Sequence, residues 1–263
     1  MQAMVVGGVT LHYRDEGPQD GPALVFSNSL GTDFRIWDRL LPLLPAGWRV
    51  IRYDTRGHGL SEAPAHAWSM DDLADELGGL LDGLKVRRAV VCGLSIGGMI
   101  AQALAARRPD LVRALVLCDT AAKIGDAALW NARIDTVTRE GVAAISAPIL
   151  ERWFSARFRE HRQDELSLWR AMLTRTPVAG YAGCSAAIRD ADLSESTAKL
   201  RLPVLAVVGA EDGATPPALV EATARTIPGA RFSVIDGAGH LPCIEQPAAL
   251  AVLVNDFLGD LSG

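Results

Sequence analysis

The chain has 263 residues, 49% of them hydrophobic and 22% charged, which is enough to bury a full core and excludes a disordered or fibrous protein. A net charge of −5 and a pI of about 5.6 give no electrostatic reason to expect binding to nucleic acid or to an anionic membrane surface. The first residues show no charged-then-apolar signal pattern, and no apolar run reaches the roughly 18 residues that span a bilayer. These features predict a cytoplasmic protein with one large core.

The first part of the chain alternates strand-like and helix-like segments. A hairpin over residues 1–15 precedes strands at 23–28 and 48–53, a helix at 70–84 and a strand at 89–93. Apolar residues at three- and four-residue spacings give the predicted helix one face that packs on the core. They are Met70, Leu73, Leu77, Leu80, Leu81 and Leu84.

The most informative motif is Gly93-Leu-Ser-Ile-Gly97, which places Ser95 between an apolar strand and a helix. This is the arrangement of a nucleophile elbow. A strand that turns sharply into a helix leaves no room for side chains at positions 93 and 97, and it strains the backbone of the central residue. We therefore predict that Ser95 projects into a cleft as a nucleophile. The alternative is a Gly-rich turn without chemistry.

A catalytic serine needs a base and an acid that orients the base, and in α/β-hydrolases these follow in the order Ser, Asp or Glu, His. Asp212 follows a buried strand at 204–209, and His240 follows a strand at 231–235. Both lie just past the carboxyl end of a strand, where ligands bind in open α/β sheets. Of the five histidines in the chain, His240 alone combines this position with the required order.

Two other acids compete for the role of Asp212. Asp119 also ends a strand, at 112–119, and some enzymes of this fold take their acid from that position. Asp212 is preferred because its compact turn leads into a helix that starts at Pro217. Glu211 is adjacent to Asp212 and is expected to be exposed.

Acyl transfer also needs donors for the developing oxyanion, and this fold supplies two backbone N–H groups. One belongs to the residue after the nucleophile, Ile96. The other is expected from Leu30, in the loop after the strand at 23–28. Relatives of this fold commonly have His-Gly where this chain has Asn28-Ser29, but a backbone donor survives that change.

The segment 121–195 interrupts the alternation of strands and helices and predicts an inserted helical cap. We expect it to act as a lid that shapes the substrate pocket and excludes water; the alternative is a helical insertion that only covers sheet edges. Trp130, Trp153 and Trp169 are candidate apolar walls. Arg133 and Arg152 are candidates to bind an anionic group, because a guanidinium pairs well with a carboxylate.

The last part of the chain returns to alternation, with helices at 217–226 and 247–261. The pattern predicts an α/β-hydrolase fold, a mostly parallel eight-stranded sheet flanked by helices with an inserted helical cap. We expect residues 1–120 and 196–263 to form the core domain and residues 121–195 the cap.

Metal and cofactor sites are not indicated by the sequence. The cysteines form no Cys-x-x-Cys pair and no cluster with histidines, so a structural zinc site or a disulfide framework is not expected. Neither Gly-x-Gly-x-x-Gly nor a P-loop occurs. We predict no metal and no cofactor, and four reduced thiols at positions 92, 118, 184 and 243.

Three segments resemble the 3-oxoadipate enol-lactonases of bacterial aromatic degradation: Phe26–Asp38, Gly93–Gln102 and Cys118–Gly125. The resemblance implies hydrolysis of 3-oxoadipate enol-lactone to 3-oxoadipate in the β-ketoadipate pathway, through an acyl-enzyme on Ser95. The partner would be this small anionic lactone, and its carboxylate gives an arginine of the cap a role.

Other functions stay open at this point. A general carboxylesterase or a cofactor-free perhydrolase or haloperoxidase-like enzyme would share the serine, acid and base. A binding module that keeps a hydrolase fold has no need of all three. The sequence leaves open the catechol or protocatechuate branch of the pathway and the formation of a homo-oligomer.

Overall fold

An eight-stranded sheet runs through the middle of the molecule. The structure, a computed structural model, describes residues 1–64 and 68–261. In chain order the strands are β1 (Gln2–Val6), β2 (Val9–Glu16), β3 (Ala23–Ser27), β4 (Arg49–Tyr53), β5 (Ala89–Leu94), β6 (Val112–Cys118), β7 (Val204–Gly209) and β8 (Arg231–Ile235). Strands β3, β5 and β7 are buried along their whole length, because helices cover both faces of the sheet.

The strands lie in the order β1-β2-β4-β3-β5-β6-β7-β8. β2 is antiparallel to both β1 and β4, and the other neighbouring pairs are parallel. The carboxyl ends of parallel strands meet at one edge of a sheet, so the loops that follow β3, β5, β6, β7 and β8 converge there. Ligands bind at this edge in open α/β sheets.

Eleven α-helices occur among residues 1–64 and 68–261, and none of them is long and apolar enough to cross a membrane. They are α1 (Met70–Gly83), α2 (Ile96–Arg107), α3 (Ala127–Glu140), α4 (Ser146–Trp153), α5 (Ala156–His161), α6 (Gln163–Thr174), α7 (Val178–Asp190), α8 (Ser194–Ala198), α9 (Pro217–Thr226), α10 (Pro242–Glu245) and α11 (Pro247–Asp260).

Helix α1 shows how local sequence sets an element. Ser69 caps its N-terminus in a capping box with Asp72, in which each side chain accepts the other residue's backbone N–H. The apolar positions predicted for this helix include Leu73 and Leu77, which are buried. The helix ends at Gly83, one residue earlier than predicted, because Leu84 caps it and Lys85 takes a positive φ of 57°.

Helices α3 to α7 all lie between β6 and β7 and pack over the carboxyl edge of the sheet. Helix α7 packs closely against the loop after β4. A Cβ on either Gly57 or Gly180 would overlap the backbone of the other residue. The same loop is held by a buried ion pair between Arg56 and Glu76. These contacts fix the position of α7 beside the sheet edge.

The fold class predicted from the sequence is confirmed, with an eight-stranded, mostly parallel sheet flanked by helices. The predicted elements differ from the observed ones by at most one residue at either end. For example, β5 continues through Leu94 instead of ending at residue 93. The limit of the cap at residues 121–195 stays a prediction.

Candidate active site

Ser95 lies on the turn between β5 and α2. Its backbone angles are φ 58° and ψ −120°, a strained conformation for a residue that has a side chain. The Ser95 N–H donates to the Cys118 carbonyl at 3.0 Å, and Thr120 Oγ1 donates to the Ser95 carbonyl at 2.6 Å. These hydrogen bonds from the end of β6 hold the turn in its strained form.

The two glycines of the pentapeptide are required by packing. A Cβ on Gly93 would overlap the Gly97 carbonyl, and a Cβ on Gly97 would overlap the carbonyls of Ser27 and Asn28. The obstructing atoms belong to the backbone, so they cannot move aside as a flexible side chain would. The space limits expected at positions 93 and 97 are therefore present in the structure.

Asp212 and His240 form a buried pair in the loops after β7 and β8. His240 Nδ1 lies 2.9 Å from Asp212 Oδ2, and the two side chains are 2% and 0% exposed. A carboxylate at this distance accepts the Nδ1 proton and so fixes the imidazole tautomer. Nε2 is left without a proton and can act as a base.

Asp212 is held as a carboxylate by its own turn. Its Oδ1 accepts the N–H groups of Ala214 at 2.7 Å and Thr215 at 3.0 Å, and its Oδ2 accepts the Thr215 hydroxyl at 2.6 Å. Burial alone would raise the pKa of Asp212, but the charge and hydrogen bond of His240 and the hydrogen bonds of Thr215 lower it below its ordinary value. Asp212 therefore remains ionised at neutral pH.

The end of α4 connects the loops that carry these residues. The Arg152 carbonyl accepts the Gly213 N–H at 3.2 Å, and the Trp153 carbonyl accepts the His240 N–H at 2.8 Å. Two successive carbonyls of one helix thus contact the acid loop and the base loop. The position of α4 is thereby coupled to the geometry of the Asp212–His240 pair.

Glu245 makes a second connection between the His240 loop and the chain after α4. Its Oε1 accepts the Gly239 N–H at 2.7 Å, and its Oε2 accepts the Ser155 hydroxyl at 2.6 Å. Burial outweighs these hydrogen bonds and raises the pKa of Glu245. The sequence analysis missed Glu245, because its partners are set only by the folded path of the chain.

Ser95 and His240 line the same cavity. Within residues 1–64 and 68–261, Ser95 Oγ has no hydrogen-bond partner, and His240 Nε2 lies 3.5 Å from Ser29 Oγ. Nucleophile–base hydrogen bonds are often long or absent without substrate and tighten in the complex. The geometry is that of a nucleophile and a base facing a shared space.

Two backbone donors face this region without an acceptor of their own. In the described parts of the chain, neither the Leu30 N–H nor the Ile96 N–H makes a hydrogen bond. Ile96 begins α2, where the first N–H groups of a helix have no intrahelical partner. Leu30 lines the cavity. Both N–H groups can therefore donate to a ligand, and their role as oxyanion donors stays a prediction.

The loop that contains Leu30 is held by side chains from below. His58 Nε2 accepts the Gly31 N–H at 2.9 Å, while its Nδ1 is 3.1 Å from the Arg56 carbonyl. Asn28 Oδ1 accepts the Trp37 indole N–H at 2.8 Å, and its Nδ2 donates to the Tyr53 carbonyl at 2.7 Å. Asn28 thus has a structural role, and Ser29 is left to face the cavity.

The cavity has a volume of about 90 Å³, which is small beside the roughly 300–1,000 Å³ of pockets for drug-sized ligands. Helices α3, α4 and α7 contribute Trp130, Arg133, Arg152, Trp153 and Tyr181 to its lining. Four of the five candidate residues of the cap, Trp130, Arg133, Arg152 and Trp153, therefore lie at the site. Trp169, the third expected wall, is not among the described lining residues, because it lies on α6, away from the cavity.

Arg133 and Arg152 give the cavity a positive character. Neither has a carboxylate partner among the described residues, although most arginines of the chain do. The Arg133 guanidinium lies 4.7 Å from the Trp130 ring centre, a cation–π contact. Burial raises the pKa of the Tyr181 hydroxyl, and the charges of Arg133 and Arg152 partly oppose that rise.

Asp119 lies beside the Asp212–His240 pair. One oxygen each of Asp119 and Asp212 and one nitrogen of His240 are within 4.8 Å of one another. In the described chain this is the one group of such side chains close enough to hold a metal ion. A hydrogen bond between His240 Nδ1 and Asp212 Oδ2 joins two of these three groups.

Comparison with known proteins agrees with the geometry. Residues 22–247 match the family described as the alpha/beta hydrolase fold. The 3-oxoadipate enol-lactonase 2 of Acinetobacter baylyi is 35% identical over 241 residues, which cover 92% of this chain and 90% of the relative.

Solved structures give the same result. The enol-lactonase from Burkholderia xenovorans LB400 has a TM-score of 0.95 and 39% identity, covering 98% of this chain and 100% of that chain. A thermophilic esterase from Thermogutta terrifontis, solved with malate bound, has a TM-score of 0.92 and 29% identity over 99% of each chain. The protein is therefore a hydrolase that belongs to the alpha/beta hydrolase fold family, with 3-oxoadipate enol-lactonases among its relatives.

Proposed function

We propose that this hydrolase opens 3-oxoadipate enol-lactone to 3-oxoadipate, with Ser95 as nucleophile, His240 as base and Asp212 as the acid that orients the base. One observation carries the proposal. Ser95 and His240 share a small cavity with two arginines that have no carboxylate partner among the described residues. A small ester that bears a carboxylate fits such a cavity, and the similarity to enol-lactonases over nine-tenths of the chain supports the same substrate.

The first half of the reaction forms an acyl-enzyme. His240 Nε2 takes the proton of Ser95 Oγ, and Oγ attacks the lactone carbonyl. The N–H groups of Leu30 and Ile96 donate to the negative oxygen of the tetrahedral intermediate. The bond from the carbonyl carbon to the ring oxygen then breaks, the leaving enol oxygen receives the proton from Nε2, and the enol becomes the ketone of the product.

The second half releases the product by the same groups. His240 Nε2 takes a proton from water, and the oxygen of that water attacks the acyl carbon held on Ser95. When the new tetrahedral intermediate collapses, Ser95 Oγ leaves and recovers its proton from His240. The free acid ionises, and 3-oxoadipate departs with one more carboxylate than the lactone carried.

Arg133 and Arg152 are the groups proposed to bind the carboxylate of the lactone. A guanidinium in a partly enclosed site forms strong, directional hydrogen bonds with a carboxylate. Trp130 and Trp153 would enclose the apolar part of the ring. These contacts would favour the lactone over a neutral ester of similar size.

The test is the steady-state hydrolysis of freshly generated 3-oxoadipate enol-lactone beside that of p-nitrophenyl acetate. We expect kcat/KM for the lactone to exceed that for the ester, and Ser95→Ala to abolish both activities. Ser167→Ala, at an exposed serine on α6, is the matched control and should retain full activity.

The same assay separates the alternatives. Rapid ester hydrolysis with negligible lactone turnover would identify a general carboxylesterase, as the similarity to a thermophilic esterase also allows. Turnover that needs a carboxylic acid and peroxide would indicate a perhydrolase. No Ser95-dependent turnover of any of these substrates would refute the proposed nucleophile.

A further inference from the structure

Asp119 is a second carboxyl group in the acid–base pair that the mechanism does not use. It follows β6 directly and is fully buried. Its N–H donates to the Val207 carbonyl at 2.8 Å, and its Oδ1 accepts the Gly209 N–H at 2.9 Å. Its Oδ2 is buried and has no donor among the described residues. The nearest charged groups are Asp212 and His240.

Two buried carboxylates this close cannot both be ionised at low energetic cost, because like charges repel strongly where water is excluded. The number of donors shows which one holds the negative charge. Asp212 accepts four hydrogen bonds, from Ala214, Thr215 and His240. From the described residues, Asp119 accepts one hydrogen bond. The charge is therefore stabilised on Asp212, and the proton belongs on Asp119.

We propose that Asp119 is a positioning residue, held as a neutral acid whose hydroxyl faces Asp212, and that it becomes the counter-charge for His240 when Asp212 is neutralised. In the intact protein it keeps the negative charge of the pair on Asp212. Burial and the repulsion from Asp212 together keep Asp119 protonated, and the repulsion disappears when the charge of Asp212 is removed. Asp119 then ionises beside the imidazolium that forms during the reaction.

The surroundings of Asp119 agree with a neutral acid. Besides Asp212 and His240, the titratable groups around it are the buried thiols of Cys118 and Cys243. Burial and the nearby charge of Asp212 raise the pKa of Asp119 well above its ordinary value. The hydrogen bond with Cys92 and burial raise the pKa of the Cys118 thiol, and burial raises the pKa of the Cys243 thiol. The thiols therefore add no negative charge at neutral pH.

The backbone at Asp119 allows a sharp choice of variants. Its φ of 48° lies in the left-handed region, which asparagine and glycine tolerate better than other residues. Asp119→Asn keeps an acceptor for Gly209 and places an N–H donor where the acid hydroxyl was. Asp119→Gly removes the side chain without adding strain. The first variant mimics the neutral acid, and the second deletes it.

Infrared spectroscopy tests the protonation state without relying on activity. The difference spectrum of wild type minus Asp119→Asn at pH 7 is expected to contain the C=O stretch of a protonated carboxylic acid. A difference spectrum with only carboxylate bands would overturn the proposal, because Asp119 would then be ionised in the resting protein.

The catalytic test is a double-mutant cycle with Asp212→Asn. Although the wider mechanism rests on the proposed function, the cycle needs only Ser95-dependent turnover, so p-nitrophenyl acetate serves even if the lactone proves to be the wrong substrate. We expect Asp119→Asn to keep kcat/KM within about threefold of wild type and Asp119→Gly to lower it further. Asp212→Asn is expected to lose roughly 10³-fold.

The decisive comparison is the double variant. Adding Asp119→Asn to Asp212→Asn should lower kcat/KM by about another tenfold or more, because both carboxylates that lie within 4.8 Å of a His240 ring nitrogen are then lost. In Asp212→Asn alone, kcat/KM should fall as the pH is lowered, because Asp119 becomes protonated. The part of the pH profile that is due to this protonation should be absent from the double variant. An equal kcat/KM of Asp212→Asn and the double variant would refute the proposed role of Asp119 as a substitute counter-charge for His240. Asp119→Asn as damaging as Asp212→Asn would make Asp119 the main acid. Thermal unfolding of each variant checks that it is folded.

Discussion

We expect the protein to lose stability at low pH because of His58, which is hydrogen-bonded to the loop that contains Leu30. The imidazole is buried, its Nε2 accepts the Gly31 N–H, and its Nδ1 faces the Arg56 carbonyl. Only the neutral ring, with its proton on Nδ1, can make both hydrogen bonds. Burial lowers the pKa of His58 from 6.5 to about 4, against the opposing effects of the Arg56 carbonyl and the charge of Asp33.

The sign and size of the effect follow from this pKa. Between pH 6.5 and 4 the unfolded chain binds a proton on His58 and the folded protein does not, so the free energy of unfolding falls as the pH is lowered. The contribution of His58 is complete above pH 6.5 and is lost by about pH 4. At about 1.4 kcal/mol per pKa unit the whole change is about 3 kcal/mol, and about 2 kcal/mol of it falls between pH 7 and 5.

Urea denaturation at pH 7 and at pH 5 measures this contribution. His58→Gln keeps an acceptor near Gly31 and removes the titrating ring, so its loss of unfolding free energy between the two pH values should be about 2 kcal/mol smaller than that of wild type. His161→Gln, at an exposed position on α5, controls for the loss of an imidazole as such. An equal pH dependence in His58→Gln and wild type would refute the assigned protonation state.

Three further predictions follow from contacts at the site. Gly97→Ala should lower kcat/KM by at least about 100-fold, because its Cβ overlaps backbone carbonyls. The control is Gly259→Ala, which should retain activity because a Cβ there meets no atom of the described residues within 4 Å. Arg152→Ala should lower kcat/KM for the lactone by about 10- to 100-fold and leave p-nitrophenyl acetate hydrolysis nearly unchanged; Arg139→Ala, an exposed arginine on α3, is the control, and equal losses on both substrates would exclude carboxylate binding. Glu245→Ala leaves buried donors unpaired and should cost about 2–4 kcal/mol of unfolding free energy in urea titrations together with a lower kcat; unchanged values of both would show that this connection does not hold the base loop.

The sequence predicts the parts of the site whose geometry is determined locally. The elbow is one such part, since the glycines at 93 and 97 between a strand and a helix identify the turn in the sequence. The distant contacts that hold the turn, from Ser27, Cys118 and Thr120, appear only in the structure. The topology then brings Asp212 and His240 to the same edge as Ser95, because all three follow parallel strands. The alternation of strands and helices along the chain likewise predicts a mostly parallel sheet.

The residues that hold the site in place could not be predicted, because each depends on a contact between distant parts of the chain. Glu245 meets Ser155 across 90 positions, and His58 meets Gly31 across 27. Thr215 is local, but its hydroxyl becomes a partner of Asp212 only through the conformation of the turn. A buried glutamate between a loop and a helix end gives no pattern in the sequence.

The choice between Asp119 and Asp212 shows where sequence reasoning stops. Both follow a strand of the parallel sheet, and both lie near His240, so position alone favours neither. Hydrogen-bond donors decide the matter. The turn after β7 directs the N–H groups of Ala214 and Thr215 toward Asp212, whereas Asp119, at the end of β6, receives a single N–H among the described residues, from Gly209 in β7. A carboxylate without donors in a buried site takes up a proton instead of keeping its charge. The conformation of the turn at residues 212–215 thus decides which of the two carboxyl groups beside His240 keeps the negative charge. This explains why enzymes of one fold can carry the acid after either strand.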